Sequence, residues 1–276
     1  MFECQRGGCR GNGSDLSNNL NYYWRLFATG LGFTLFGLGG IAIGFVLFPL
    51  IHLLAMNTSR AQKRCQYVVH LSFRFFIRIM KTLGILTYSI EGDECLGDKQ
   101  AGIVVSNHPS LIDVVFIVSR VPNALCIVKR AAWSNPFMMG VMWATGYVSN
   151  DEPEKLLETC ATRVRGDEKL VIFPEGTRTV PGQPMKLRRG AASIIVKSGI
   201  PFTPVTISSK PTTLTKAEKW YQIPPRPMHI RMDVGVAVDP APHIVDGESI
   251  SLASRRMNKL IKQILLEGVE RHERAC

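Results

Sequence analysis

Between Leu16 and Ile90 the sequence contains no acidic residue, although the same stretch carries seven basic ones: Arg25, Arg60, Lys63, Arg64, Arg74, Arg78 and Lys81. Residues 1–15 are charge-balanced and 91–276 hold 24 basic against 20 acidic groups, so most of the net +11 sits in that acid-free region. The region is also the most apolar part of the chain. A nucleic-acid binder sets its cations on a polar, folded reading surface, so no nucleic-acid partner is expected. Cations beside apolar sequence fit a membrane surface. No CxxC pair occurs, and the seven cysteines are odd in number and scattered. That excludes a disulfide framework, offers no structural zinc spacing, and points to a reducing compartment. The sequence also lacks internal repeats and low-complexity tracts. With 46% apolar residues among 276 it can bury a core, enough for one large domain and an accessory segment.

What is present begins with a long hydrophobic run. Leu26–Met56 is 31 residues without Asp, Glu, Lys or Arg. As a helix it would be about 46 Å long, against about 30 Å of hydrocarbon. It is too long for the apolar part of a secretory signal, and the polar opening Met1–Asn21 shows no convincing cleavage site. Six glycines and Pro49 interrupt it, which leaves two arrangements open: one tilted span, or a re-entrant bend near Gly37–Gly40. Ser59–Leu83 then has helical period. Arg60, Lys63, His70, Arg74, Arg78 and Lys81 fall on one stripe, with Val68, Leu71, Phe75, Phe76, Ile79 and Leu83 on other faces. Such a helix suits the headgroup plane of a bilayer. If the run spans once, the basic flank after it places the downstream domain on the cytoplasmic face. Three regions result: a polar segment 1–21, a hydrophobic membrane segment with its basic amphipathic helix over 22–83, and a folded domain over 84–276.

In that domain short strands alternate with helices. The pattern predicts strands at Thr87–Glu91, Gly102–Ser106, Ala124–Lys129, Gly146–Ser149, Lys169–Phe173, Phe202–Ile207 and Met228–Val238. Helices are predicted at Pro109–Arg120, Pro136–Thr145, Pro153–Arg165, Arg189–Ser198 and Ile250–His272. This is an α/β fold, a mostly parallel sheet flanked by helices. Ligands in such sheets bind beyond the carboxyl ends of strands, which directs attention to the residues after Ser106 and after Phe173. The proline-rich stretch Pro211–Pro227 reads as an excursion loop.

After Ser106 comes Asn107-His108-Pro109-Ser110-Leu111-Ile112-Asp113. Pro109 suits a first helical turn, so Asp113 can lean back toward His108. A carboxylate on one imidazole nitrogen fixes the tautomer and leaves the other nitrogen as a general base. One His and one Asp are too few ligands for a metal site. The second constellation is Phe173-Pro174-Glu175-Gly176-Thr177-Arg178. Arg178 offers a planar fork for phosphate, Thr177 a hydroxyl, and Gly176 a close backbone approach. Glu175 can orient the arginine or accept a hydrogen bond.

These motifs, about 65 positions apart and followed by Ile200-Pro201-Phe202-Thr203-Pro204-Val205, resemble the glycerolipid acyltransferase superfamily of the lysophosphatidic acid acyltransferase type. The resemblance covers roughly residues 70–240 and makes 84–276 the catalytic domain. It implies an enzyme of the inner or plasma membrane that passes a fatty acyl group from acyl-CoA or acyl carrier protein to a lipid hydroxyl. The acceptor it implies first is 1-acyl-sn-glycerol-3-phosphate, giving phosphatidic acid; a different lipid acceptor is the alternative, and a non-catalytic lipid-binding scaffold is the reading from another class. His108 is then the base and Asp113 its partner, with Asn107, Glu175, Gly176, Thr177, Arg178 and Lys129 on the substrate, and no cofactor beyond the acyl donor. One departure stands out. An arginine that the superfamily often carries after the central strand is missing from Gly146–Glu152, where Asp151 and Glu152 stand instead. Lys129 and Arg130, or Arg188 and Arg189, are the candidates to replace its charge.

Overall fold

The computed structural model describes residues 12–55, 57–97, 102–166, 168–180, 182–215, 218–245 and 247–274. Residues 1–11 of the polar opening segment lie outside them. The hydrophobic run forms one rod. Helix α1 (Asn12–Ala42) continues through a π-helical turn at Ile43–Leu47 into α2 (Phe48–Leu54). Pro49 accounts for the π turn, because its ring needs room where an ordinary turn would set a carbonyl, and it has no N–H to donate. The chain does not bend at Gly37–Gly40, as the re-entrant arrangement required; it reverses only after Leu54. Helix α3 (Thr58–Thr82) returns along the rod, its start capped by the Asn57 side chain, which accepts the Ser59 N–H at 2.8 Å.

The domain follows as β1 (Leu86–Glu91), β2 (Gly102–Ser106), α4 (Asp113–Val118), β3 (Ala124–Val128), α5 (Arg130–Trp133), α6 (Met139–Thr145) and β4 (Val148–Ser149). It continues with α7 (Pro153–Arg165), β5 (Lys169–Ile172), α8 (Gly190–Ser198), β6 (Phe202–Lys210), β7 (Met228–Val234) and α9 (Ile250–Arg274). The seven strands order as β1-β7-β6-β2-β5-β3-β4. All neighbours pair parallel except β6 and β7. The mostly parallel sheet of the sequence reading is therefore present. β6 runs three residues further than expected because antiparallel pairing continues to Lys210 opposite His229.

Side chains pack on both faces of the sheet. α7, α8 and α9 cover one face, with Cys160, Ile194 and Leu265 wholly buried. The other face packs against the rod and α3: Phe48, Cys65 and Ile77 share a core with Leu86, Phe116 and Met232. The segment 22–83 is thus a layer of the same folded body. The rod's glycines explain how it docks. A side chain at Gly44 or Gly140 would run into the backbone of the other, at 3.1 and 2.7 Å, and one at Gly40 would strike the Phe137 carbonyl. Small residues let two backbones approach this closely. Polar side chains complete the seam by capping helix ends: Gln66 Nε2 donates to the Thr145 carbonyl at 2.9 Å, and the His52 ring lies 3.0 Å from the Ala144 carbonyl. His70 does the same at the end of α4, with Nδ1 2.9 Å from the Val118 carbonyl. It is therefore buried and does not belong to the basic stripe where helical spacing had put it. The exposed stripe of α3 carries Arg60, Arg64, Arg74, Arg78 and Lys81, with Tyr67 and Leu71 between them.

Candidate active site

β2 and β5 lie side by side, so the loops leaving their carboxyl ends meet. The expected helix from Pro109 begins only at Asp113, because residues 107–112 form a turn closed by that carboxylate. Asp113 Oδ2 accepts the Ser110 N–H at 2.6 Å and lies 3.0 Å from His108 Nδ1. Asp113 is fully buried, whereas the His108 side chain keeps 15% of its surface open. Burial pushes the Asp113 carboxyl above its usual range, opposed by the hydrogen bond and charge of His108 and by the Ser110 N–H. The imidazole rests on the Phe173 ring, with centroids 4.4 Å apart. Its other nitrogen, Nε2, has no hydrogen bond among the described residues, so a partly open base faces outward while a buried acid steadies it from behind.

The second loop locks onto the first. Glu175 Oε1 accepts the backbone N–H of His108 at 3.0 Å and the Thr179 hydroxyl at 2.8 Å, and the Thr179 N–H donates to the His108 carbonyl at 2.7 Å. Glu175 therefore holds the backbone that carries the base. Gly176 has φ +66, in the left-handed region, and a side chain there would meet Arg188 Nε at 2.9 Å. The missing Cβ is what lets the exposed Arg188 lie across this turn. Thr177 is half-buried on the same loop.

Arg178 is in the site, although its Nη1 does not stand free as a fork for phosphate. It donates to the carbonyls of Leu214 and Thr215, at 2.7 and 2.8 Å. The Leu214 carbonyl also accepts the Leu111 N–H at 3.2 Å. A single carbonyl from the 211–227 excursion thus joins the two motifs. Leu214 holds φ +55, a strained conformation for leucine. Nothing in the sequence marks this residue, because its contribution is a main-chain atom.

Two other expectations change. The amide of Asn107 is committed on both sides to β6, donating to the Ile207 carbonyl and accepting its N–H, each at 2.8 Å. Asn107 is buried and fixes the strand tip, so it is not a substrate ligand. Lys129 is exposed at the end of β3, with β5 between it and β2. Arg130 pairs with Asp151 at 2.8 Å, so neither of those charges stands alone. Of the four cations proposed to replace the missing arginine, Arg188 is the one brought against Gly176.

Behind Leu111 and Ile112 lies an apolar cavity of about 760 Å³ between the rod, α3 and the excursion, floored by Phe36, Phe73 and Phe76. Its size is within the usual range for pockets that enclose a ligand. Met138 reaches it, while Met142 is core.

Residues 88–208 match the family described as Acyltransferase. The chain is 31% identical over 134 residues to a 1-acyl-sn-glycerol-3-phosphate acyltransferase of Helicobacter pylori, covering 44% of this chain and 56% of that protein. It is 24% identical over 196 residues to the mouse alpha enzyme of the same name, covering 66% of each. The matched parts therefore span a little over half to about two thirds of these relatives. Among solved structures, the lysophosphatidic acid acyltransferase PlsC of Thermotoga maritima superposes with a TM-score of 0.70 at 21% identity, over 93% of this chain and 98% of that one. At that identity the likeness establishes the fold.

Proposed function

We propose that the chain is a PlsC-like acyltransferase, a reading supported by the match of residues 88–208 and by its named relatives, and that it acylates 1-acyl-sn-glycerol-3-phosphate to phosphatidic acid, using an acyl thioester carried on coenzyme A or on acyl carrier protein. The observation that carries the reading is the His108–Asp113 pair at 3.0 Å, with one ring nitrogen outward, beside a loop bearing Arg178 and Arg188. His108 Nε2 takes the acceptor's hydroxyl proton as its oxygen attacks the thioester carbonyl. The C–O bond forms, the C–S bond breaks, and the proton passes from the imidazolium to the departing thiolate. Asp113 keeps Nδ1 protonated and stabilises the cation in between. No acyl-enzyme is needed. Arg188 supplies the charge that Gly146–Glu152 lacks, and the apolar cavity accommodates a fatty chain.

Membrane attachment is part of the same proposal. Asn19–Leu54 is long and apolar enough to cross a bilayer by length and composition. One side of the rod, however, is packed on Phe137 through Gly40 and on α6 through Gly44, and Phe48 is in the core. A lone span would need lipid on all sides. The exposed side carries Leu20, Tyr23, Phe27, Val46 and Leu53. We place this side within one leaflet, with the α3 cations on the phosphates of the cytoplasmic face.

The test is a purified preparation given radiolabelled acyl donor and a panel of acceptors. Labelled phosphatidic acid is expected from lysophosphatidic acid. Acylation of another lipid with lysophosphatidic acid left untouched overturns the acceptor, and absence of any acylated lipid with every donor overturns the enzyme.

A further inference from the structure

A buried arginine in the rod has no carboxylate to answer it among the described residues. Arg25 is 5% exposed and opens the apolar run, in a region without a single acid. A guanidinium carries five donors in a fixed fork and cannot shed its charge, so it must find oxygen atoms converging on it. It finds them far away in sequence. Nη1 donates to the Pro224 carbonyl at 2.7 Å, Nη2 to the Pro225 carbonyl at 2.8 Å, and Nε to the Asn21 side chain at 2.8 Å. Two successive carbonyls of the proline-rich excursion are thereby fastened to the first helix.

The same excursion is the segment whose Leu214 carbonyl joins the two motifs. Between the fastened end and Leu214 two further contacts hold the described residues. Trp220 lies against Gly30 and Phe33 of the rod, at 3.5 Å from where a Gly30 side chain would begin and 6.0 Å between ring centroids. The Glu218 carboxylate accepts the Thr215 N–H at 2.9 Å. Leu214 is strained, and a strained residue persists only where its surroundings hold it.

We propose that Arg25 is a positioning residue: it straps the 211–227 excursion to the rod and so holds Leu214 where its carbonyl sets Arg178 and the His108 turn. Docking of the N-terminal rod and geometry of the acceptor site become one equilibrium. The proposal rests on the acyltransferase reading above for its kinetic consequence, and on packing alone for its mechanical one.

The test uses the full chain in detergent micelles containing lysophosphatidic acid, comparing wild type with Arg25→Ala, Arg25→Lys and Asn21→Ala. Steady-state rates are read together with tryptic cleavage after Lys219. Arg25→Ala is expected to raise KM for lysophosphatidic acid at least about tenfold with kcat within about threefold, and to speed cleavage at least about tenfold. Arg25→Lys, which cannot span two carbonyls and Asn21, rescues only in part, and Asn21→Ala shifts both readouts the same way but less. An unchanged KM with faster cleavage overturns the positioning role. Unchanged cleavage overturns the strap, whatever KM does, and so does a loss confined to kcat or one that follows the fraction unfolded in a thermal melt. If wild type leaves lysophosphatidic acid unacylated, the reading of function falls, while cleavage still decides the strap.

Discussion

Replacing Asp113 by asparagine separates the charge of this side chain from its shape. With its oxygen where Oδ2 stands, asparagine still accepts the Ser110 N–H at 2.6 Å and the His108 Nδ1–H at 3.0 Å. Its NH2 falls where Oδ1 has no partner among the described residues. The negative charge goes, and a buried NH2 without an acceptor is the one other change. Two unit charges 3.0 Å apart attract by about 5 kcal/mol at an effective dielectric of about 20. The part felt by the reaction is the gain as imidazole becomes imidazolium, and taking about half leaves a loss of about a hundredfold in kcat. Stability should move the other way. Burial raises the folded-state pKa of Asp113, so its stabilising contribution is whole below the unfolded value near about pH 4 and is lost as pH rises through the folded value. The asparagine variant escapes that loss. Its melting temperature relative to wild type should therefore rise from pH 4 to pH 7, on top of a pH-independent cost for the unpaired NH2. Rates with labelled donor and lysophosphatidic acid, paired with thermal melts from pH 4 to 8, measure both. A kcat within threefold of wild type, or a melting difference that does not change with pH, refutes the account.

His108→Ala should lower turnover by at least about a hundredfold, the lower end expected for removing a general base, while leaving acceptor binding measurable by equilibrium dialysis. Glu175→Ala breaks both the His108 N–H and Thr179 contacts and should cut kcat at least about tenfold, whereas Glu175→Gln, whose oxygen can still accept both, should keep most activity; equal losses would make the charge, and not the acceptor atom, the important property. Gly140→Leu forces a side chain into the Gly44 backbone and should lower Tm by several degrees, read by calorimetry. At the far face, burial pushes Asp233 up, but hydrogen bonds from Arg231 and His272 outweigh it and hold the carboxyl below its usual range. The stability it contributes is present above the unfolded value and lost as pH falls through the folded one. Amide protection factors in the last turns of α9 should accordingly fall below about pH 4 while those in β5 do not.

Local chemistry was readable where it is local. The strand Gly102–Ser106 and the helix Pro153–Arg165 fall where the pattern puts them, since a continuous apolar run and an amphipathic helix opened by proline each declare themselves. The His108–Asp113 contact follows from spacing alone, although through a turn and not the expected helix. What spacing could not show is what depends on distant partners. His70 has helical period with the α3 cations, and only the Val118 carbonyl, 48 residues on, says that it faces inward. Asn107 looks like a ligand until β6 is laid beside it. The glycines of the rod suggested a hinge, because a glycine that bends a helix and one that makes room for a neighbour are the same letter. Leu214 gave no signal, since any residue has a carbonyl.

The seam between Gly44 and Gly140 leaves no slack. Two main chains in such close contact can neither slide past each other nor roll without separating, so the greasy rod cannot act as a piston or a swivel. If the rod settles on a bilayer as proposed, the imidazole would ride at a constant height above that plane, and thermal jostling of the rod would reach the reacting atoms as rigid-body travel. Encounter with a lipid acceptor would then be a problem of lateral traffic in two dimensions, governed by how crowded the surface is with acceptor and hardly at all by its amount in the bulk.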